Sequence, residues 1–113
     1  MKNLTIENIT RACRGTYHGS DSLLSREAAH VVIDSRKAGP EDVFVAIKGE
    51  RVDGHSFIPS VMDAGALCAV SEQDLGEVPF PYIRVESTAQ ALLDIAKLYR
   101  DSFGLKVVGI SGS

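Results

Sequence analysis

A chain of 113 residues with 44% hydrophobic and 24% charged residues can bury roughly two-thirds of its unfolded surface around one core and leaves little room for long disorder. A formal net charge of -3 excludes a basic footprint spread over the surface for nucleic acid or an anionic membrane, so any anion site is local. The start of the chain lacks the apolar run of a signal peptide, no window approaches a membrane span, and Cys13 and Cys68 stand in apolar patterns without Cys-x-x-Cys spacing. The expectation is a soluble cytoplasmic protein with reduced, buried thiols.

In chain order, Thr5 is placed to cap a short helix with Ile6, Ile9 and Cys13 at helical spacing, and Gly15 is placed to end it. Residues 16–27 read as a Gly- and Ser-rich loop holding one irregular strand at most. A strand over 28–33, a turn over 37–42 around Gly39-Pro40 and a strand over 43–47 follow. After a glycine-rich loop at 49–54, Asp53 or Ser56 caps a helix to about Ala64, with Pro59 in its first turn and Gly65 as terminator. Residues 67–70 form a short strand, 71–79 an acidic surface loop and 81–85 a further strand. Ser87-Thr88-Ala89-Gln90 matches the capping box and predicts a helix with Ala89, Leu92, Leu93, Ala96 and Tyr99 on one face, closed by Gly104. Residues 105–110 read as a last buried strand. The alternation predicts an α/β fold, a single small domain with a mixed, partly parallel sheet flanked by helices.

Two of the β-rich runs stop abruptly at polar clusters. The first cluster is Asp34, Ser35, Arg36 and Lys37; the second is Lys48, Glu50, Arg51, Asp53 and His55, with Gly49 and Gly54 between them. Polar loops at strand ends are where α/β folds hold ligands. Local alternatives stand beside this: Asp34 pairs with Arg36 or caps its turn, and Asp53 caps a helix while His55 bonds nearby. His18 and His30 have no carboxylate or cysteine partner at metal-ligand spacing, which argues against a metal site. No nucleophile stands beside a base, and no catalytic residue is assigned. At the far end, a β-run followed by Gly109-Ile110-Ser111-Gly112-Ser113 is how a phosphate-binding loop begins, with a strand and small-residue tail as the alternative. On the loop reading the chain is a piece of a longer protein and by itself does not bind or hydrolyse ATP in the usual way.

Together these segments resemble the Mur ligases of peptidoglycan synthesis, in their N-terminal domain. The resemblance rests on Asp34-Ser35-Arg36-Lys37, on Pro40-x-Asp42-Val43-Phe44-Val45-Ala46-Ile47-Lys48-Gly49-Glu50-Arg51-x-Asp53-Gly54-His55-x-Phe57-Ile58, on Gly65-Ala66, and on Val107-Val108-Gly109-Ile110-Ser111-Gly112-Ser113. Leu4-Thr5-Ile6-Glu7, Gly49-Glu50-Arg51 and Tyr99-Arg100 before Phe103 look most like the branch that adds D-alanyl-D-alanine to UDP-N-acetylmuramoyl-tripeptide. The branch that adds the third amino acid shares the Asp-Ser-Arg and Asp-Gly-His segments and is the alternative, as is a non-enzymatic α/β interaction module.

The resemblance implies a three-domain parent using ATP and Mg2+, in which a substrate carboxylate is phosphorylated and then attacked by an amine. Residues 1–105 would be the UDP-substrate-binding domain, and residues 106–113 the first strand and truncated ATP loop of the central domain, with Ser111, Gly112 and Ser113 as the start of the nucleotide site. Neither cofactor is expected on this piece alone, and D-alanyl-D-alanine would bind a further domain. For the UDP moiety the resemblance points to Ser35 at a uracil or ribose edge, to Arg36 as a planar fork for a carbonyl pair or phosphate, and to Lys48, Arg51 and His55 around the diphosphate. A monomer is expected.

Overall fold

In the computed structural model, which describes residues 4–49 and 53–103, a five-stranded sheet is covered on both faces. Thr5 in extended conformation (φ -78°, ψ 160°) caps α1, Ile6–Cys13, by accepting the Asn8 N–H at 3.1 Å. Ile6, Ile9 and Cys13 form its buried stripe. The left-handed residue that ends the helix is Arg14 (φ 56°), where Gly15 was expected. Gly15 is needed for a different reason: a Cβ there would lie 2.5 Å from Ile83 Cγ2 and 2.9 Å from the Arg84 carbonyl oxygen.

The strands are β1, Thr16–His18; β2, Val31–Val32; β3, Val43–Val45; β4, Cys68–Ser71; and β5, Tyr82–Arg84. Their order across the sheet is β1-β5-β4-β3-β2, with β1 antiparallel to β5 and every other pair parallel. This is the expected mixed, largely parallel α/β sheet. β2 is shorter than the predicted 28–33 because Ala28 instead donates its N–H to the Leu4 carbonyl and is buried there, while Ile33 lies beyond the ladder and is 51% exposed.

Strand alternation sorts the core into two layers. Val43, Val45, Cys68, Val70 and Ile83 face one side, against α1 and the helix α3, Thr88–Phe103. Phe44, Ala46, Ala69 and Tyr82 face the other. That second side is covered by the three connections between parallel strands: Ala38 from the first, α2 (Ile58–Asp63) from the second, and Leu75, Val78 and Phe80 from the third. The buried stripe of α3 is Thr88, Ala91 and Ile95, flanked by Leu92 and Leu98. It is not the predicted face, since Leu93 is 60% exposed and Ala89 is exposed. Both stripes satisfy helical spacing; Ile95 and Ala91 win because they meet the core layer that also holds the buried face of α1. The predicted strand at 105–110 lies outside the described residues.

Candidate functional site

Parallel strands deliver their following loops to one end of a sheet, and a cleft of about 520 Å³ opens there beyond β2 and β3. The size suits a small organic ligand. Its walls are apolar: Ile33, Ile47 and Phe57, with fully buried Phe44 beneath. Gly49 and Gly54 line it without side chains, and Asp34, Ser35 and Arg36 form the polar edge.

Each piece is held by local chemistry. Asp34 Oδ1 accepts the Arg36 backbone N–H at 2.9 Å and its Nε–H at 3.2 Å, while Oδ2 accepts from Nη2 at 3.1 Å. This side-chain pairing holds the Asp34 carboxyl below the usual carboxylate range and raises the Arg36 guanidinium. The guanidinium stays at the surface, 88% exposed. Gly54 donates its N–H to the Ile47 carbonyl at 2.9 Å, and a Cβ on it would lie 2.8 Å from the Ile47 nitrogen, so only glycine allows this closeness. Asp53 caps a single 3-10 turn, Gly54–Phe57, that runs directly into α2 with Pro59 in its first turn. That turn projects Phe57 (37% exposed) at the cleft.

Ser35 and Arg36 thus share the cleft with both glycines of the second cluster. Lys48 is exposed at its margin, paired across the loop with Asp53 in a single β-bridge. His55 is placed differently. It is 7% exposed, its Nδ1 lies 2.7 Å from Asp53 Oδ1, and its Nε2 accepts the Glu72 backbone N–H at 2.9 Å. A diphosphate contact through His55 would have to displace one of these bonds. His55 in turn holds the Asp53 carboxyl low, its backbone N–H first and its ring second. Arg51, Ser111, Gly112 and Ser113 lie outside the described residues.

Sequence reasoning missed the apolar half of the cleft. Ile33 reads as the end of a strand and Phe57 carries no site role in the sequence, and their exposure beside a polar edge is what distinguishes them. The cleft is smaller than a groove of about 720 Å³ between α1 and α3, which is lined by Arg14 and Lys97 together with Glu86 and Asp94. Among the described residues no group of three His, Cys, Asp or Glu could hold a metal ion, and no helix is long and apolar enough to cross a membrane.

Residues 27–100 match the family model described as "Mur ligase family, catalytic domain". Over the whole chain, the sequence is 32% identical to a UDP-N-acetylmuramoyl-tripeptide--D-alanyl-D-alanine ligase of Bacillus subtilis, covering 25% of that protein. Over 77% of the chain it is 37% identical to a UDP-N-acetylmuramoyl-L-alanyl-D-glutamate--2,6-diaminopimelate ligase of Listeria monocytogenes, covering 18% of it. Among solved structures, MurF from Acinetobacter baumannii superposes with a TM-score of 0.76 at 30% identity, over 87% of this chain and 21% of that one. MurF from Thermotoga maritima in complex with ADP gives 0.59 at 32% identity, over 65% and 17%. The chain therefore spans about a quarter or less of the length of these relatives.

Proposed function

The chain belongs to the Mur ligase family, and from that premise we propose that it docks the UDP end of UDP-N-acetylmuramoyl-tripeptide for an ATP-dependent ligase that adds D-alanyl-D-alanine in peptidoglycan synthesis in the cytoplasm. The observation that carries this is the composition of the β2–β3 cleft. It has apolar faces from Ile33 and Phe57, a hydrogen-bonding edge at Ser35 and the guanidinium of Arg36 held by Asp34, and the exposed Lys48 stands next to Gly49 at its margin. A uracil ring is flat and apolar on its faces and polar on its rim, so it fits between such walls with its edge on Ser35. A diphosphate leaving the cleft meets Arg36 and Lys48, and Arg51 joins them in this reading. The small residues Gly49 and Gly54 leave the backbone open to close approach.

In the same reading, residues 1–105 are the docking domain and 106–113 begin the ATP-binding part, with Ser111, Gly112 and Ser113 opening its phosphate loop. ATP, Mg2+ and D-alanyl-D-alanine are held by parts of the parent other than the described residues, and the described residues take no step in the phosphorylation. Only part of the substrate's contacts is then present here, so the isolated chain binds weakly.

The Listeria relative favours a second reading, the same domain in the ligase adding the third amino acid. Amide NMR of the chain with UDP tests the docking claim: saturable shifts at Ser35, Arg36 and 48–55 are expected, and a folded chain with no shifts anywhere would reject it in favour of an interaction module. Supplying the full-length parent with UDP-muramoyl dipeptide or tripeptide separates the two ligases, with turnover of the tripeptide expected.

A further inference from the structure

A continuous run of hydrogen bonds leads from the cleft's glycine loop to the start of α3. Gly54 lies against the cleft and Asp53 precedes it. Asp53 Oδ1 accepts the His55 backbone N–H at 3.0 Å and lies 2.7 Å from His55 Nδ1. His55 Nε2 accepts the Glu72 backbone N–H at 2.9 Å. Glu72 Oε2 then accepts the Thr88 backbone N–H at 2.8 Å and the Thr88 hydroxyl at 3.0 Å.

The directions of these bonds are fixed. A backbone N–H can only donate, so Nε2 carries no proton and Nδ1 carries the proton directed at Asp53. One imidazole therefore satisfies two partners at once, and both ring edges are needed. His55 and Thr88, at 7% and 1% exposure, are shielded from water that would compete for these bonds. Glu72 has two roles of its own, since its backbone N–H faces His55 while its carboxylate caps the helix. Sequence separation is large at the last two steps, 17 residues from His55 to Glu72 and 16 from Glu72 to Thr88. The run therefore joins three segments that are distant in sequence.

Given the nucleotide cleft proposed above, on which this rests, we propose that His55 is a positioning residue that couples occupancy of the cleft to the first turn of α3. A ligand that presses on Gly54 moves Asp53, Asp53 moves the ring, and the ring moves Glu72 and with it the cap of α3. The helix that receives the signal runs to Phe103, directly before the segment read as the start of the ATP-binding part. Each bond has its own mimic. His55→Asn keeps a donor near the Nδ1 position and gives up the Glu72 bond, whereas His55→Gln keeps an acceptor near the Nε2 position and gives up the Asp53 bond.

The test is amide NMR of the 113-residue chain with UDP as probe. In the unaltered chain the Glu72 and Thr88 amides are expected to shift with the same midpoint as Ser35, Gly49 and Gly54. In each variant the cleft amides still titrate and Thr88 does not. Thr88 unmoved in the unaltered chain while the cleft titrates overturns the coupling, as does Thr88 moving equally in both variants. If no cleft amide titrates, the nucleotide reading fails and the coupling is judged without ligand. A 15N–15N coupling across the Glu72–His55 hydrogen bond, with Thr88 amide exchange about tenfold faster in His55→Asn, upholds it. Absence of that coupling in the unaltered chain, or unchanged exchange in a folded variant, overturns it.

Discussion

At Arg36, charge and shape do separate work. The fork to Asp34 fixes the guanidinium plane, and a lysine would supply the charge without that plane. Arg36→Lys is expected to weaken UDP binding by about tenfold, the scale of a lost charge-assisted hydrogen bond, while leaving the melting temperature unchanged, because the pair is at the surface. Titration of UDP alongside a thermal melt reads both. The Asp34–Arg36 pairing was one of two readings open to the sequence, since both residues follow a β-run and stand two apart. The pairing of His55 with Glu72 was not legible, because no local pattern announces a bond across 17 residues. Phe57 escaped for another reason: nothing in its local sequence marks it as a wall of a cleft, and the turn made by Asp53 is what brings it to the surface.

Among the elements, α3 shows where periodicity stops being informative. Its sequence carries apolar residues on two overlapping faces, and the choice between them is made by what α1 and the sheet offer. Ile95→Ala should cost about 2–5 kcal/mol and Leu93→Ala less than about 0.5 kcal/mol, measured by chemical denaturation. Equal losses would mean that the other face is inward. The start of the same helix was half legible. Ser87 does cap it, accepting the Gln90 N–H at 3.2 Å, but the Gln90 side chain turns to Asp94 where a capping box would return it to Ser87. The second cap is the distant Glu72.

That cap has a pH signature. The Thr88 N–H and hydroxyl hold the Glu72 carboxyl below its ordinary 4.5. A carboxyl lowered by folding contributes stability that is complete above the unfolded value and is lost as pH falls through the folded one. The melting temperature of the unaltered chain is therefore expected to drop more steeply below pH 4.5 than that of Glu72→Gln, which lacks the titrating group. Parallel pH profiles for the two chains would remove Glu72 from the account.

For the whole molecule, the two thiols report on two different openings. Burial pushes both Cys13 and Cys68 up to about 12, so neither is a thiolate at neutral pH. Cys68 sits in β4, third of the five strands, whereas Cys13 lies at the end of α1 against α3, with its thiol 3.7 Å from the Ala91 carbonyl oxygen. Labelling by a thiol reagent should be slow at both, with Cys13 reacting first through separation of the helices and Cys68 only on global unfolding. Mass spectrometry of partly labelled chain gives the order. The fold class itself was legible because strand and helix signals alternate. The antiparallel β1 and the truncation of β2 were not, since pairing partners decide both.

The pairing of α1 with α3 has a consequence for synthesis. One helix leaves the ribosome first and the other last among the elements described, and between them they shield the same side of the sheet. Val43, Val45, Cys68, Val70 and Ile83 must therefore wait, half covered, until residues near 100 have emerged from the exit tunnel. A nascent chain halted before Thr88 would expose that layer to chaperones, and one allowed to pass it would close in a single late step.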